Sequence, residues 1–136
     1  MQCVFCDRNQ IITDIVYEDE TVMAFMDMDP INEGHVLVIT KEHFLDADEI
    51  PDEVLTPIML LSKKIVSALK EIYQPNGYTI MQNGGTFNDM GHYHLHVFPR
   101  YVGDGFGWTY GSVEKVVNAE IAKKIRWELE YNTNKN

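Results

Sequence analysis

Cysteine is scarce in this chain: Cys3 and Cys6 are the only two among 136 residues. One closely spaced pair builds no disulfide framework. In a reducing compartment it reads as metal ligands or as a redox motif. Long apolar runs are also missing, and none approaches the roughly 18 residues needed to cross a bilayer. The first twenty residues are polar, without the basic start and apolar block of a secretory leader. A cytoplasmic protein with no membrane partner is the resulting expectation. Basic residues are few as well: 11 Lys and Arg stand against 21 Asp and Glu, a formal net charge of -10. That balance argues against a nucleic acid polymer as partner, since non-specific binding needs a broad cationic face. A small anion remains possible, because local donors in a pocket can hold it whatever the global charge.

The length suits one core. Ile15 to Tyr17 and Thr21 to Asp27 read as a strand pair across the turn Glu18-Asp19-Glu20, and His35 to Thr40 as a buried β-branched strand. Asp29 to Gly34 has loop chemistry. Thr56-Pro57 predicts a helix start, with Ile58, Leu61, Ile65, Leu69 and Ile72 recurring as one apolar stripe. Gln74 to Gly77 ends that helix, and Tyr78 to Gln82 is the next strand. After the loop Asn83 to Gly91, His92 to Arg100 reads as the last clear strand. The tail from Ser112 to Tyr131 has a helical composition, with Val116, Ile121, Ile125 and Leu129 as its contacts. The expected fold is α+β: an antiparallel sheet with a long helix packed on one side and a C-terminal helical tail. Residues 1–110 would form the catalytic domain and 111–136 a helical extension of it.

Chemistry concentrates in Gly91-His92-Tyr93-His94-Leu95-His96-Val97. On a strand, alternate side chains share a face, so the three imidazoles would stand together while Tyr93, Leu95 and Val97 turn to the core. Packing alone explains three such histidines poorly, because each buried imidazole needs hydrogen-bond partners. Their spacing suits two rings touching one phosphate group, or two ligating one metal.

This segment, through Pro99-Arg100, resembles the signature of the histidine triad (HIT) family, in which three histidines alternate with apolar residues. Other segments agree in order: VMAFMD ending at Asp27, Gly34-His35-Val36-Leu37-Val38-Ile39, Lys41-Glu42-His43, and Gln82-Asn83-Gly84. The resemblance covers roughly Cys3 to Arg100 and suggests a zinc-containing bacterial-type member. It implies that His94 attacks the α-phosphorus of a nucleotide, forming a covalent nucleotidyl-histidine that water hydrolyses. His96 and His35 would contact the phosphate oxygens. Gln82, Asn83 and Gly84 would supply donors at the rim, and Asp27 would bind ribose hydroxyls. The family's polar stretch before the triad is replaced here by Phe87-Asn88-Asp89-Met90-Gly91, about one residue shorter. Contacts to the leaving group would then fall to Asn88 and Asp89.

Cys3-Val4-Phe5-Cys6 lacks the strand-helix context of a thioredoxin-like motif. In some HIT proteins and related uridylyltransferases such a pair is completed by two histidines. The resemblance implies structural zinc on Cys3, Cys6, His43 and His92. The implied activity is hydrolysis of a nucleoside phosphoramidate or dinucleoside polyphosphate. The alternatives are a nucleotidyltransferase and a nucleotide-binding or interaction module with little turnover. A homodimer is expected, as in the family. Met59, Leu60 and Val66 lie off the main helix stripe and would need covering.

Overall fold

The structure, a computed structural model, describes residues 2–132. Five strands, β1 (Ile15–Glu18), β2 (Val22–Met26), β3 (Val36–Thr40), β4 (Gly77–Met81) and β5 (His94–Arg100), form one antiparallel sheet in the order β1-β2-β3-β5-β4. The helix α1 (Asp52–Tyr73) connects β3 to β4 and packs on one face. The tight β1–β2 turn is built by Asp19, whose carboxylate accepts from the Thr21 and Val22 amides. This is the α+β arrangement the hydrophobic pattern predicts.

The sheet separates two apolar layers. On one face Val22, Ala24, Val36, Val38, Leu95 and Val97 meet Ile58, Leu61, Ile65 and Leu69 of α1. Ile72, predicted on the same stripe, is exposed, and Ser62 is buried in the helix's inward surface. The opposite face carries Met23, Phe25, Leu37 and Ile39, with Phe5, Ile11 and Ile15 packed against them. His94 and His96 emerge on that second face, because they alternate with Leu95 and Val97 of the first.

Three elements differ from the sequence reading by two residues or more. The helix begins at Asp52, behind Pro51, and Pro57 lies inside it. Pro51 is extended and accepts from the Val54 and Leu55 amides, while Asp52 and Glu53 supply the acidic first turn. These residues outweigh the Thr56-Pro57 signal. β5 starts at His94, so His92 precedes the strand; Gly91 turns the chain there at φ +63°. In the tail, α2 spans Ala119–Trp127, and residues 112–118 are not helical. Asn118 caps α2 by accepting from the Glu120 and Ile121 amides.

The chain falls into two compact units, one ending at Phe106 and the other beginning at Gly107. In the second unit Val116, Ile121, Ile125 and Leu129 are exposed.

Gly34 is required by its surroundings. Its φ is +91°, and a Cβ there would stand 2.6 Å from Tyr73 Cε2. This turn delivers the chain into His35 and β3. Among the described residues no helix is long and apolar enough to cross a membrane.

Candidate active site and metal centre

Three of the four histidines around the sheet's second face are sorted by which ring nitrogen the backbone takes, and the fourth, His96, by its contact with His35. His94 Nδ1 lies 2.9 Å from the His92 carbonyl and donates to it. Its Nε2 is therefore left with a lone pair, and the ring lines a pocket of about 220 Å³. His35 is fully buried, and the Ile31 amide donates to its Nδ1 at 3.0 Å. The His35 proton must then sit on Nε2, which donates to His96 Nδ1 at 2.9 Å. That leaves His96 with its proton on Nε2, as a donor within the same pocket. The relay depends on the loop before β3. Asn32 fixes that loop by donating to the Pro99 carbonyl and to Asp104, which also grips Arg100 at the end of β5.

Burial pushes both supporting imidazoles below their ordinary range. For His35 desolvation outweighs the pull of Asp27 and Asp29. His96 is pushed down to about 4 by desolvation first and then by His94 and His35. A neutral His35 is also what its geometry requires, since a protonated Nδ1 could not accept from Ile31.

The remaining expected site residues fall into two groups. Asp27 lines the pocket, with Oδ2 3.4 Å from His35 Nε2 and 3.8 Å from His96 Nδ1, and its Oδ1 accepts from the Asp29 amide. Asp89 is largely exposed, and its Oδ1 lies 3.6 Å from His94 Nε2. Gln82 donates to the Asn83 carbonyl, and neither residue is among those lining the pocket, nor is Gly84. Asn88 is buried and committed to its own loop: Oδ1 accepts from the Met90 and Gly91 amides, and Nδ2 donates to the Leu45 carbonyl.

Behind this pocket lies a second cluster. Cys3, Cys6, His43 and His92 bring one donor atom each to within 4.8 Å of all the others. Cys3 Sγ is 3.3 Å from His92 Nδ1, Cys6 Sγ 3.3 Å from His43 Nδ1, and Cys6 Sγ 3.5 Å from His92 Nδ1. Tetrahedral zinc with ordinary Zn–S and Zn–N lengths separates sulfur from nitrogen by about 3.5 Å. His92 Nε2 donates to the Thr40 carbonyl at 2.7 Å, which turns its Nδ1 lone pair toward the sulfurs. Donor types, spacing and tautomer all fit a metal ion.

Phe5 joins the two clusters, and its role was not read from the sequence. It sits between the cysteines, and its ring meets Phe25, His94 and His92 edge-on with centroids 5.3, 5.7 and 5.9 Å apart. It also lines the pocket with Ile11, Phe25 and Leu37. An aromatic inside Cys-X-X-Cys was the available clue. The Ile31 amide and the Thr40 carbonyl have no side-chain signature.

The HIT domain model matches residues 8–103. This chain belongs to the HIT domain family. An uncharacterized HIT-like protein of Methanocaldococcus jannaschii is 40% identical over 128 residues, covering 91% of this chain and 98% of the relative. The adenosine 5'-monophosphoramidase of Schizosaccharomyces pombe is 32% identical over 93% of this chain and 100% of its own length. Among solved structures, a HIT family protein from Bacillus anthracis superposes with a TM-score of 0.83 at 33% identity, covering 96% of each chain. A zinc-bound histidine triad protein from Mycobacterium smegmatis gives 0.71 at 32% identity over 82% of this chain and 84% of its own.

Proposed function

We propose that this HIT protein hydrolyses nucleotidyl phosphoramidates or dinucleoside polyphosphates at the α-phosphorus through a covalent nucleotidyl-His94. The observation that carries this is the His94 ring: Nδ1 donates to the His92 carbonyl, and Nε2 faces the pocket with its lone pair free. A neutral, oriented imidazole is a competent nucleophile. As the His94 Nε2–P bond forms, the bond from phosphorus to the leaving group breaks, and its electron pair goes with that group. An amine leaving group takes a proton from solvent. Water then attacks phosphorus, the P–N bond to His94 breaks, and the mononucleotide leaves. His96 donates from Nε2 to a phosphoryl oxygen as charge develops there. His35 acts through His96, holding its ring and tautomer from a buried position. Asp27 accepts from ribose hydroxyls, and the apolar wall of Phe5, Ile11 and Phe25 takes the base.

Cys3, Cys6, His43 and His92 would hold structural zinc. A closed four-ligand shell offers no open position for substrate, and its contribution would be to cross-link the N-terminal segment to the segments that follow β3 and precede β5. The zinc-bound relative supports this reading. We assign the protein to the cytoplasm, where thiols stay reduced for metal binding. We also propose a homodimer, with Met59 and Leu60 of α1, both exposed in the single chain, inside the interface; sedimentation equilibrium showing only single-chain mass at all concentrations would exclude it. The phosphoramidase relative directs the first substrate test to adenylyl compounds. Incubation with a panel of adenylyl and guanylyl phosphoramidates and dinucleoside polyphosphates, with products weighed by mass spectrometry, should yield free mononucleotide. Product carrying a second phosphate in place of water would replace hydrolase by transferase.

A further inference from the structure

The attacking nitrogen has an acidic neighbour that the reaction above does not use. Asp89 is on the loop between β4 and β5, and its side chain is 84% exposed, yet Oδ1 lies 3.6 Å from His94 Nε2. The backbone beneath it is anchored on both sides. Asn88 Oδ1 accepts from the Met90 and Gly91 amides at 3.2 and 3.1 Å, and its Nδ2 donates to the Leu45 carbonyl. Earlier in the loop, the Gly85 amide donates to Asp46 Oδ1 at 2.9 Å. Both anchors tie the loop to the Leu45-Asp46 segment. The loop thus sets Asp89 in the wall of the pocket, with no cationic side chain paired to it among the described contacts.

A group bonded to His94 Nε2 lies close to this carboxylate. Phosphorus within bonding reach of Nε2 brings its oxygens or its departing atom within a few ångströms of Asp89. A carboxylate accepts hydrogen bonds from N–H groups and attracts cations; it repels phosphate oxygens. We propose that Asp89 selects the leaving group by charge, favouring nucleotidyl donors that release an amine over those that release a phosphate or polyphosphate. This rests on the nucleotidyl-hydrolase reading and adds the class of leaving group. In the step concerned, the His94 Nε2–P bond forms, the P–N bond breaks, and its electron pair stays on the amine nitrogen, which takes a proton from solvent. Asp89 accepts from the N–H of that nitrogen and stays ionised throughout. A leaving group that carries a second positive charge gains further from the same contact, whereas a departing polyphosphate offers only oxygens.

The test compares two substrates on one enzyme. kcat/KM is measured for the zinc-loaded protein and its Asp89→Asn variant, using an adenylyl phosphoramidate of a lysine side-chain amine and a diadenosine polyphosphate, without added divalent cation. Asn keeps the size of the side chain and an acceptor oxygen while removing the charge. The ratio of phosphoramidate to polyphosphate should fall at least fivefold in the variant, a change that general damage to the fold would not produce. A smaller change in the ratio, with the wild type cleaving both substrates, overturns the role of Asp89 and leaves the hydrolase reading intact. A wild type that cleaves neither substrate overturns both.

Discussion

His92 and His94 stand two residues apart, and the backbone takes a different ring nitrogen from each. His92 gives Nε2–H to the Thr40 carbonyl, so Nδ1 faces the cysteines. His94 gives Nδ1–H to the carbonyl of His92 itself, so Nε2 faces the pocket. One ring presents its lone pair to the cysteines and the other presents it to the pocket, although the residue type and burial are the same. At the cysteine end four protein donors converge, a set that would close around a metal ion. The pocket end is open, lined by two imidazoles and two carboxylates. The assignment of chemistry to a histidine therefore depends on which carbonyl or amide it meets.

The largest effect that separates the two ends is expected from substitution. His94→Gly should lower kcat by at least about a thousandfold, because covalent catalysis is lost, with metal content and Tm near wild type. The metal end should fail in the opposite sense. Cys3→Ser should reduce bound zinc, measured by elemental analysis, and lower Tm by roughly 10 °C, equivalent to about 3 kcal/mol in a domain of this size. A Cys3→Ser protein with unchanged metal content and Tm would remove the distinction.

A smaller, pH-dependent effect can be read at the open end. His96 has its native pKa pushed down to about 4 by burial. Between the ordinary histidine value near 6.5 and about 4, the unfolded chain binds a proton that the native chain refuses. Stability is therefore unaffected by this group above pH 6.5 and falls as pH drops toward 4, by up to about 3 kcal/mol. Urea midpoints measured across that window should fall more steeply for the wild type than for His96→Asn. Equal slopes would show that His96 is not held neutral by the fold.

Much of the fold was legible because burial imposes periodicity. Ile58, Leu61, Ile65 and Leu69 had to share a helix face, and Val36 to Thr40 could hardly avoid being a central strand. The boundaries were less legible where two local signals competed, as Pro51-Asp52-Glu53 did with Thr56-Pro57. Alternation also brought His94 and His96 to one face. It failed for His92, because Gly91 bends the chain before β5 begins. Its place beside Cys3, Cys6 and His43 followed from resemblance, since those residues meet only through long-range folding. Asn88 was expected to contact the leaving group; its side chain shapes the loop, and that loop is what brings Asp89 to His94. The relay from Ile31 through His35 to His96 rests on a main-chain amide, which no residue type announces.

The most direct test of the difference between His92 and His94 is to trap the covalent species. Enzyme in excess over an adenylyl phosphoramidate is quenched with base at successive millisecond intervals, digested, and mapped by mass spectrometry; base is used because phosphorus–imidazole bonds are labile in acid. One nucleotidyl group should appear on His94 before free mononucleotide accumulates, and then decay as product forms. Mononucleotide release with no adduct at any interval, or an adduct on His92, His96 or any other residue, would contradict the assignment of His94 as nucleophile.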